Sequence, residues 1–196
     1  MFRDVVVKFF YGMFHSIMGI QIIGKENVPN EGAAIMCPNH IHVLDSVSLV
    51  SNTKRMIYVM GKAELFKSKI GNWFFTKVGV FPVSRGKGDV EAIETANKYL
   101  KEGNLMLIFP EGTRNGLAKG IKFKKGAAYM AIQNKVPLIP IGIKGTFKPF
   151  TKVIINIGKP IDVKEYVNDE KLDPRKVIEL TNKLQEEVIR LRDEIK

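Results

Sequence analysis

Short apolar runs recur along the chain and predict buried β-strands. They occupy residues 20–23, 33–37, 56–60, 78–83, 105–109, 138–143 and 153–157. The runs lack the alternation of half-exposed strands, as expected where helices cover both faces of a sheet. Helical stretches lie between them. The sequence therefore predicts an α/β fold with a central, mixed and mostly parallel sheet flanked by helices.

Two helices are marked by their ends as well as by their apolar spacing. Asp89 is a good N-cap for a helix that ends near Gly103. Asp173 precedes Pro174 at the first position of the last helix. Apolar residues then follow three or four apart, at Val177, Leu180, Leu184, Val188, Leu191 and Ile195.

The first twenty residues are rich in apolar side chains. Asp4, Lys8 and His15 recur at helical spacing and form one narrow polar stripe. These polar residues, and the lack of a small-residue cleavage site, argue against a transmembrane span or a signal peptide. Two alternatives stay open: an amphipathic helix at a membrane interface, or a helix buried across the core.

Positive charge exceeds negative charge. Thirty-one Lys and Arg against twenty Asp and Glu give a formal net charge of +11. A partner of opposite sign is expected: nucleic acid, anionic lipid or a phosphorylated metabolite. The lone cysteine, Cys37, excludes an internal disulfide and a Cys-rich metal site, and it favours a reducing intracellular compartment.

The first candidate for chemistry is the segment from His40 to Asp45, directly after the strand at 33–37. If His40 lies in the loop and Asp45 in the first helical turn, the carboxylate can orient the imidazole to take a proton from a hydroxyl. Alternatively, His40 caps the helix and Asp45 favours its dipole. His40 and His42 with Asp45 also resemble half of a metal site, although few further ligands exist.

The second candidate is the segment 109–114, Phe-Pro-Glu-Gly-Thr-Arg, at the end of another strand. Its Arg can bind phosphate oxygens and its Glu can accept from sugar-alcohol hydroxyls. An ordinary turn with solvated charges is the alternative. Lys62 and Arg85 also follow strands and are further candidate phosphate ligands. A run of basic residues comes shortly after the segment 109–114 and contains Lys119, Lys122, Lys124 and Lys125.

Together these blocks resemble the 1-acylglycerol-3-phosphate acyltransferases of the glycerolphosphate acyltransferase superfamily. The Asn-His-x4-Asp motif of that family matches Asn39-His40 through Asp45. Its second block resembles residues 62–66 with 81–85, and its Phe-Pro-Glu-Gly-Thr-Arg block matches 109–114 in every position. Its apolar fourth motif resembles 136–140. The four blocks occur in family order over about residues 20–160.

The resemblance implies transfer of a fatty acyl group from acyl-CoA or acyl carrier protein to the sn-2 hydroxyl of 1-acylglycerol-3-phosphate, forming phosphatidic acid. It implies that His40 and Asp45 are the catalytic dyad. The implied substrate-binding residues are Lys62, Arg85, Glu111, Gly112, Thr113 and Arg114. No metal and no cofactor are expected, because the thioester is a co-substrate, and no acyl-enzyme at Cys37 is needed.

Two departures from the family pattern limit what the resemblance implies for this chain. Asn115 stands where the family usually has Ser, which affects the loop or the headgroup preference. Many members also carry longer membrane-embedded N-terminal segments. We expect residues 1–20 to be a membrane-associating helix and 21–196 the acyltransferase domain. The expected location is the cytoplasmic face of a membrane, with peripheral or monotopic attachment.

The expected partners are a lysophospholipid, an acyl thioester and an anionic membrane surface, with acyl carrier protein as one alternative donor. Nucleic acid is not expected, because the chain has no recognisable nucleic-acid motif. Within enzymes, the rival is an acyltransferase that uses glycerol 3-phosphate or another lysophospholipid. The rivals from other classes are a basic nucleic-acid-binding domain, which the net charge of +11 motivates, and a peripheral membrane protein without catalysis.

Overall fold

The computed structural model describes residues 2–83, 90–167 and 172–196, without the side chains of Phe14 and His15. Seven strands form one sheet in the order β1-β7-β6-β2-β5-β3-β4. They are β1 (Ile20–Ile23), β2 (Ala34–Pro38), β3 (Ile57–Lys62), β4 (Val80–Val83), β5 (Leu105–Leu107), β6 (Leu138–Gly145) and β7 (Val153–Ile157).

Five neighbouring strands of the sheet, from β6 to β4, run parallel. β7 pairs antiparallel with β6, and β1 pairs parallel with β7 at the opposite edge. The prediction of a mixed, mostly parallel sheet is confirmed. β2 is buried along its whole length, as its unbroken apolar sequence predicts.

Helices cover both faces of the sheet. They are α1 (Phe2–Met18), α2 (Leu44–Ser51), α3 (Lys69–Lys77), α4 (Val90–Lys101), α5 (Gly126–Asn134) and α6 (Pro174–Asp193). One core contains apolar side chains of α4, α5 and α6, and the other contains side chains of α1 and α2. The two cores lie on opposite faces of the sheet, because alternate residues of β2 such as Ile35 and Met36 belong to different cores.

The predicted helix ends agree with the structure where they are described. The Asp173 carboxylate accepts a hydrogen bond from the Arg175 N–H at 2.8 Å and caps α6. Asp89, the expected N-cap of α4, lies outside the described residues. α3 begins after Ser68, whose hydroxyl accepts from the Gly71 N–H at 3.0 Å.

α1 is partly packed and partly exposed. Phe10 and Met13 pack against the core on the α2 side of the sheet, whereas Val5 and Phe9 are 64% and 65% exposed. The alternative of a helix buried across the core therefore does not describe this structure. Among the described residues, no helix is both long enough and apolar enough to cross a membrane.

Candidate active site

The candidate residues meet at the carboxyl edge of the parallel strands. His40 follows β2, Lys62 ends β3, and the segment 109–114 follows β5. β2, β5 and β3 are consecutive in the sheet, so their loops leave side by side. Arg85, predicted to bind phosphate, lies outside the described residues.

His40 and Asp45 form a hydrogen-bonded pair in which Asp45 is fully buried and His40 is partly buried. The imidazole Nδ1 lies 2.8 Å from Asp45 Oδ2, and the two side chains are 14% and 0% exposed. The dyad needs His40 in the loop and Asp45 in the first turn of a helix, and this is their placement, because α2 begins at Leu44. When Nδ1–H donates a hydrogen bond to Asp45 Oδ2, Nε2 is left as the basic nitrogen.

The Asp45 carboxylate also shapes the loop before its own helix. Oδ2 accepts hydrogen bonds from the backbone N–H groups of Ile41 at 2.7 Å and His42 at 2.9 Å. No described residue donates to Oδ1, which is buried. One oxygen thus holds both the His40 ring and the turn that carries it.

The rings of His40 and His42 stack on different aromatic side chains. The His40 ring stacks on Phe109, with centroids 3.9 Å apart. The His42 ring stacks instead on Phe147 at 5.0 Å, and its Nδ1 accepts from the Leu44 N–H at 3.3 Å. Among the described residues, no three His, Cys, Asp or Glu side chains are grouped closely enough to hold a metal ion.

His40 opens onto a cavity of about 650 Å³ whose lining includes three cationic side chains. These cations are Lys62, Arg114 and Lys124. The adjacent residues Gly112 and Thr113 also line the cavity. Within the described part of the chain, no carboxylate forms an ion pair with any of these three cations. Unpaired cations around a concave site favour an anion such as phosphate.

Gly112 is favoured by its backbone conformation and lies against the end of the Lys124 side chain. Its φ is +67°, a conformation that other residues rarely adopt. A Cβ there would lie 2.7 Å from both Cε and Nζ of Lys124. The absence of a side chain at Gly112 therefore lets the lysine lie across the loop and reach the cavity.

Glu111 is placed differently from its predicted role in binding acceptor hydroxyls. It is 2% exposed, and its two oxygens accept from the backbone N–H groups of His40 and Leu117, at 2.6 and 2.7 Å. Its neighbours Pro110 and Gly112 line the cavity among the described residues, but Glu111 does not. Its carboxylate is therefore used within the protein.

A second, apolar cavity of about 370 Å³ adjoins the first. It lies among α1, α2, α3 and the strands β3 and β4. The residues that line both cavities are Val43, Ser46, Met60, Gly61 and Leu65. A cationic cavity with a histidine base thus shares a wall with an apolar one.

Two further predicted features lie away from the cavity. Cys37 is fully buried in β2, and burial raises the pKa of its thiol far above the usual range. A reactive thiolate is therefore not formed there. The fourth motif, residues 136–140, lies at the start of β6, where the Pro137 carbonyl accepts from the Ile35 N–H at 3.0 Å. It builds the sheet beside β2.

Lys124 is the cavity residue that the sequence marked least clearly. It is one member of a basic run, and spacing alone does not separate it from Lys119, Lys122 and Lys125. Its N–H donates to the Pro110 carbonyl at 2.8 Å, which ties it to the 109–114 segment. That tertiary hydrogen bond has no signature in the local sequence.

Comparisons with known proteins agree with this geometry. The family model described as Acyltransferase matches residues 19–144, which contain His40, Asp45 and the cavity cations. The 1-acyl-sn-glycerol-3-phosphate acyltransferase of Bacillus subtilis (strain 168) is 32% identical over 157 residues, covering 76% of this chain and 77% of that protein. The enzyme of that name from Borreliella burgdorferi is 29% identical over 187 residues, covering 92% and 75%.

A solved structure gives the same fold over nearly the whole chain. The crystal structure of the 1-acyl-sn-glycerophosphate (LPA) acyltransferase PlsC from Thermotoga maritima superposes with a TM-score of 0.78 at 27% identity. The match covers 98% of this chain and 79% of the other. On the family model, the relatives and the fold, this chain belongs to the 1-acyl-sn-glycerol-3-phosphate acyltransferase family.

Proposed function

We propose that the protein transfers a fatty acyl group from a thioester to the sn-2 hydroxyl of 1-acylglycerol-3-phosphate, forming phosphatidic acid. One observation carries the proposal: the His40–Asp45 pair, with Nδ1 and Oδ2 2.8 Å apart, opens onto a cavity with three cations that have no carboxylate partner among the described residues. A base for a hydroxyl and a site for a phosphate are therefore side by side. The relatives' names specify the same acceptor.

The proposed reaction uses His40 Nε2 as the general base. It takes the proton of the sn-2 hydroxyl as the oxygen attacks the thioester carbonyl carbon. The tetrahedral intermediate collapses, the C–S bond breaks, and the imidazolium returns the proton to the departing thiolate. Asp45 holds the ring and stabilises its charged form. The products are the diacyl lipid and a free thiol.

Phosphate binding is assigned to Lys62, Arg114 and Lys124. All three line the cavity with His40, and none has a carboxylate partner among the described residues. Thr113 lines the same wall and offers a hydroxyl. A phosphate held there places the glycerol hydroxyl toward His40. Arg85 stays a predicted further ligand.

An acyl chain is assigned to the adjoining apolar cavity. Its walls include Val6 and Phe10 of α1, Val47 of α2, and Phe74 and Phe75 of α3. Burying methylene groups there is favourable by roughly 0.8 kcal/mol each. The shared wall with the cationic cavity allows the carbonyl end of a chain to lie at His40.

The test of the reaction is thiol release from palmitoyl-CoA and from palmitoyl acyl carrier protein, with lysophosphatidic acid in detergent micelles. We expect acceptor-dependent thiol release and phosphatidic acid, both lowered roughly a hundred- to ten-thousand-fold in His40→Ala. His42→Ala is the matched control and should lose far less, because its ring stacks on Phe147. Faster turnover with glycerol 3-phosphate than with lysophosphatidic acid would show that the proposed acceptor is wrong. Equal activity of His40→Ala would overturn the mechanism.

A peripheral membrane site is proposed at α1 and α3. Phe2 of α1 contacts Trp73 of α3, with ring centroids 4.9 Å apart, so the two helices are neighbours. Val5, Phe9 and Ile70 are 64%, 65% and 80% exposed. Both helices also carry exposed lysines, Lys8 on α1, and Lys69 and Lys77 on α3. Apolar side chains flanked by lysines suit an anionic lipid surface.

Vesicle sedimentation tests the membrane site. The wild type should bind phosphatidylglycerol-containing vesicles more than phosphatidylcholine vesicles, and Phe9→Gln with Ile70→Gln should weaken binding to both. Ile178→Gln is the matched control, since Ile178 is an exposed residue of α6 on the other face of the sheet. Unchanged binding by the double variant would contradict this site. The cytoplasmic side of the membrane stays a prediction.

A further inference from the structure

Glu111 joins the two segments that carry the proposed chemistry. One carboxylate oxygen accepts from the His40 N–H at 2.6 Å, and the other accepts from the Leu117 N–H at 2.7 Å. The side chain is 2% exposed. It therefore links the loop after β2 to the loop after β5 from inside the protein.

The link is made from both sides of His40. The Asn115 N–H donates to the His40 carbonyl oxygen at 2.6 Å, while the His40 N–H donates to Glu111. Both backbone polar groups of the proposed base are thus bonded to the segment from 111 to 117. Because that segment also contains Gly112, Thr113 and Arg114, the base and the phosphate-binding loop are held in one arrangement.

Gly116 makes room for this arrangement. A Cβ at this position would lie 2.6 Å from Glu111 Oε2 and 3.0 Å from Glu111 Cβ. Its backbone is in the ordinary αR region, with φ −62° and ψ −47°, so the need for glycine is spatial. The carboxylate lies against the backbone at Gly116, in the position from which it reaches Leu117.

We propose that Glu111 is a positioning residue for His40, and that it acts through the His40 backbone without contacting the acceptor. This inference rests on the proposed function of His40. A carboxylate that accepts from two backbone N–H groups makes charge-assisted hydrogen bonds, which are stronger than neutral ones. It holds the Nε2 of His40 at a constant distance from the phosphate ligands, which is a requirement for efficient transfer to a bound hydroxyl.

The kinetic test compares Glu111→Gln with wild type while lysophosphatidic acid is varied. The amide keeps one acceptor oxygen but turns an NH2 group toward the other N–H, so one bond is lost. We expect kcat to fall roughly 10- to 100-fold while KM for the acceptor changes little, because the group lost is not a ligand. Glu179→Gln, at an exposed position of α6, is the matched control and should match wild type.

Amide hydrogen exchange provides a readout that does not depend on turnover. In Glu111→Gln, the N–H groups of His40 and Leu117 should exchange faster than in wild type, while amides of β6 should not change. A wild type inactive with every acceptor would overturn the proposed function, yet this exchange result would still test the link. Unchanged exchange at both amides, or a raised acceptor KM with unchanged kcat, would overturn the inference.

A second variant keeps the inference testable if Glu111→Gln does not fold. Gly116→Ala keeps the Glu111 carboxylate in the chain but puts a methyl group 2.6 Å from its Oε2, so the carboxylate has to shift. We expect the same pattern, with lower kcat and little change in acceptor KM. Full activity of Gly116→Ala in a folded protein would show that the position of Glu111 does not matter to the base.

Discussion

The carboxamide of Asn39 and the backbone of Ile143 exchange two hydrogen bonds. Asn39 Nδ2 donates to the Ile143 carbonyl at 2.9 Å, and the Ile143 N–H donates to Asn39 Oδ1 at 2.6 Å. The side chain thus continues the β2–β6 pairing beyond the end of β2. It ties the residue before His40 to the longest strand of the sheet, on the side opposite to the β5 loop.

Asn39→Ala should destabilise the fold. It leaves a buried N–H and a buried carbonyl of Ile143 without partners, and each such group costs about 1–3 kcal/mol. We expect the free energy of unfolding in urea to fall by about 2–4 kcal/mol. Asn156→Ala, which removes one bond of 3.1 Å to the Leu191 carbonyl, should cost less. An equal fall in the free energy of unfolding in the two variants would contradict the proposed importance of the two Asn39–Ile143 hydrogen bonds.

Asp45→Asn should lower turnover without preventing acceptor binding. The neutral amide no longer stabilises the imidazolium. In one of its two orientations its NH2 group also replaces Oδ2, the oxygen that accepts from His40 Nδ1 and two backbone N–H groups. We expect kcat to fall on the order of a hundred-fold or more. Steady-state kinetics measure this, with circular dichroism to show that the variant is folded. Wild-type kcat in Asp45→Asn would mean that His40 works without its carboxylate.

Cys37→Ala should retain turnover. Burial raises the pKa of the Cys37 thiol, so the thiolate needed to accept an acyl group is not formed in the folded protein. Ellman's reagent should leave native protein unmodified and titrate one thiol after denaturation. Loss of all activity in a folded Cys37→Ala variant would instead indicate an acyl-enzyme at this residue.

Lys124→Met should raise the acceptor KM. The substitution removes the charge but keeps an unbranched side chain that can still cross Gly112. Hydrogen bonds to charged groups contribute about 1.5–3 kcal/mol, which corresponds to roughly a 10- to 100-fold rise in KM. Lys125→Met, at an exposed neighbour outside the described cavity lining, is the matched control. A similar rise in both variants would point to general charge attraction.

The apolar runs located the strands well because strands covered on both faces are continuous apolar segments. β1 and β7 have the predicted bounds, and β2 and β4 differ from prediction by one or two residues. Strand order could not be predicted in the same way. The insertion of β5 between β2 and β3, and the reversal at β7, depend on contacts between segments that are distant in the chain.

The placement of candidate residues around the cavity was predictable where a residue type has distinctive chemistry. His40, Asp45 and Arg114 could be chosen because imidazole, carboxylate and guanidinium have distinct uses at strand ends. The partners of Glu111 could not be predicted, since backbone N–H groups occur at almost every position and only the tertiary fold selects two of them. Residue type alone therefore predicts that Glu111 binds a ligand, whereas its carboxylate accepts from backbone N–H groups of the protein.

The pairing of β1 with β7 has a consequence for how the protein is made. Ile20 to Ile23 lie beside Val153 to Asn156, so β1 gains its neighbour only after nearly the whole domain has left the ribosome. The parallel strands between them can pair earlier in synthesis. α1 is synthesised before β1, and its Val5 and Phe9 stay exposed even in the folded domain. A nascent chain therefore presents this helix to its surroundings before the strand next to it has a place in the sheet.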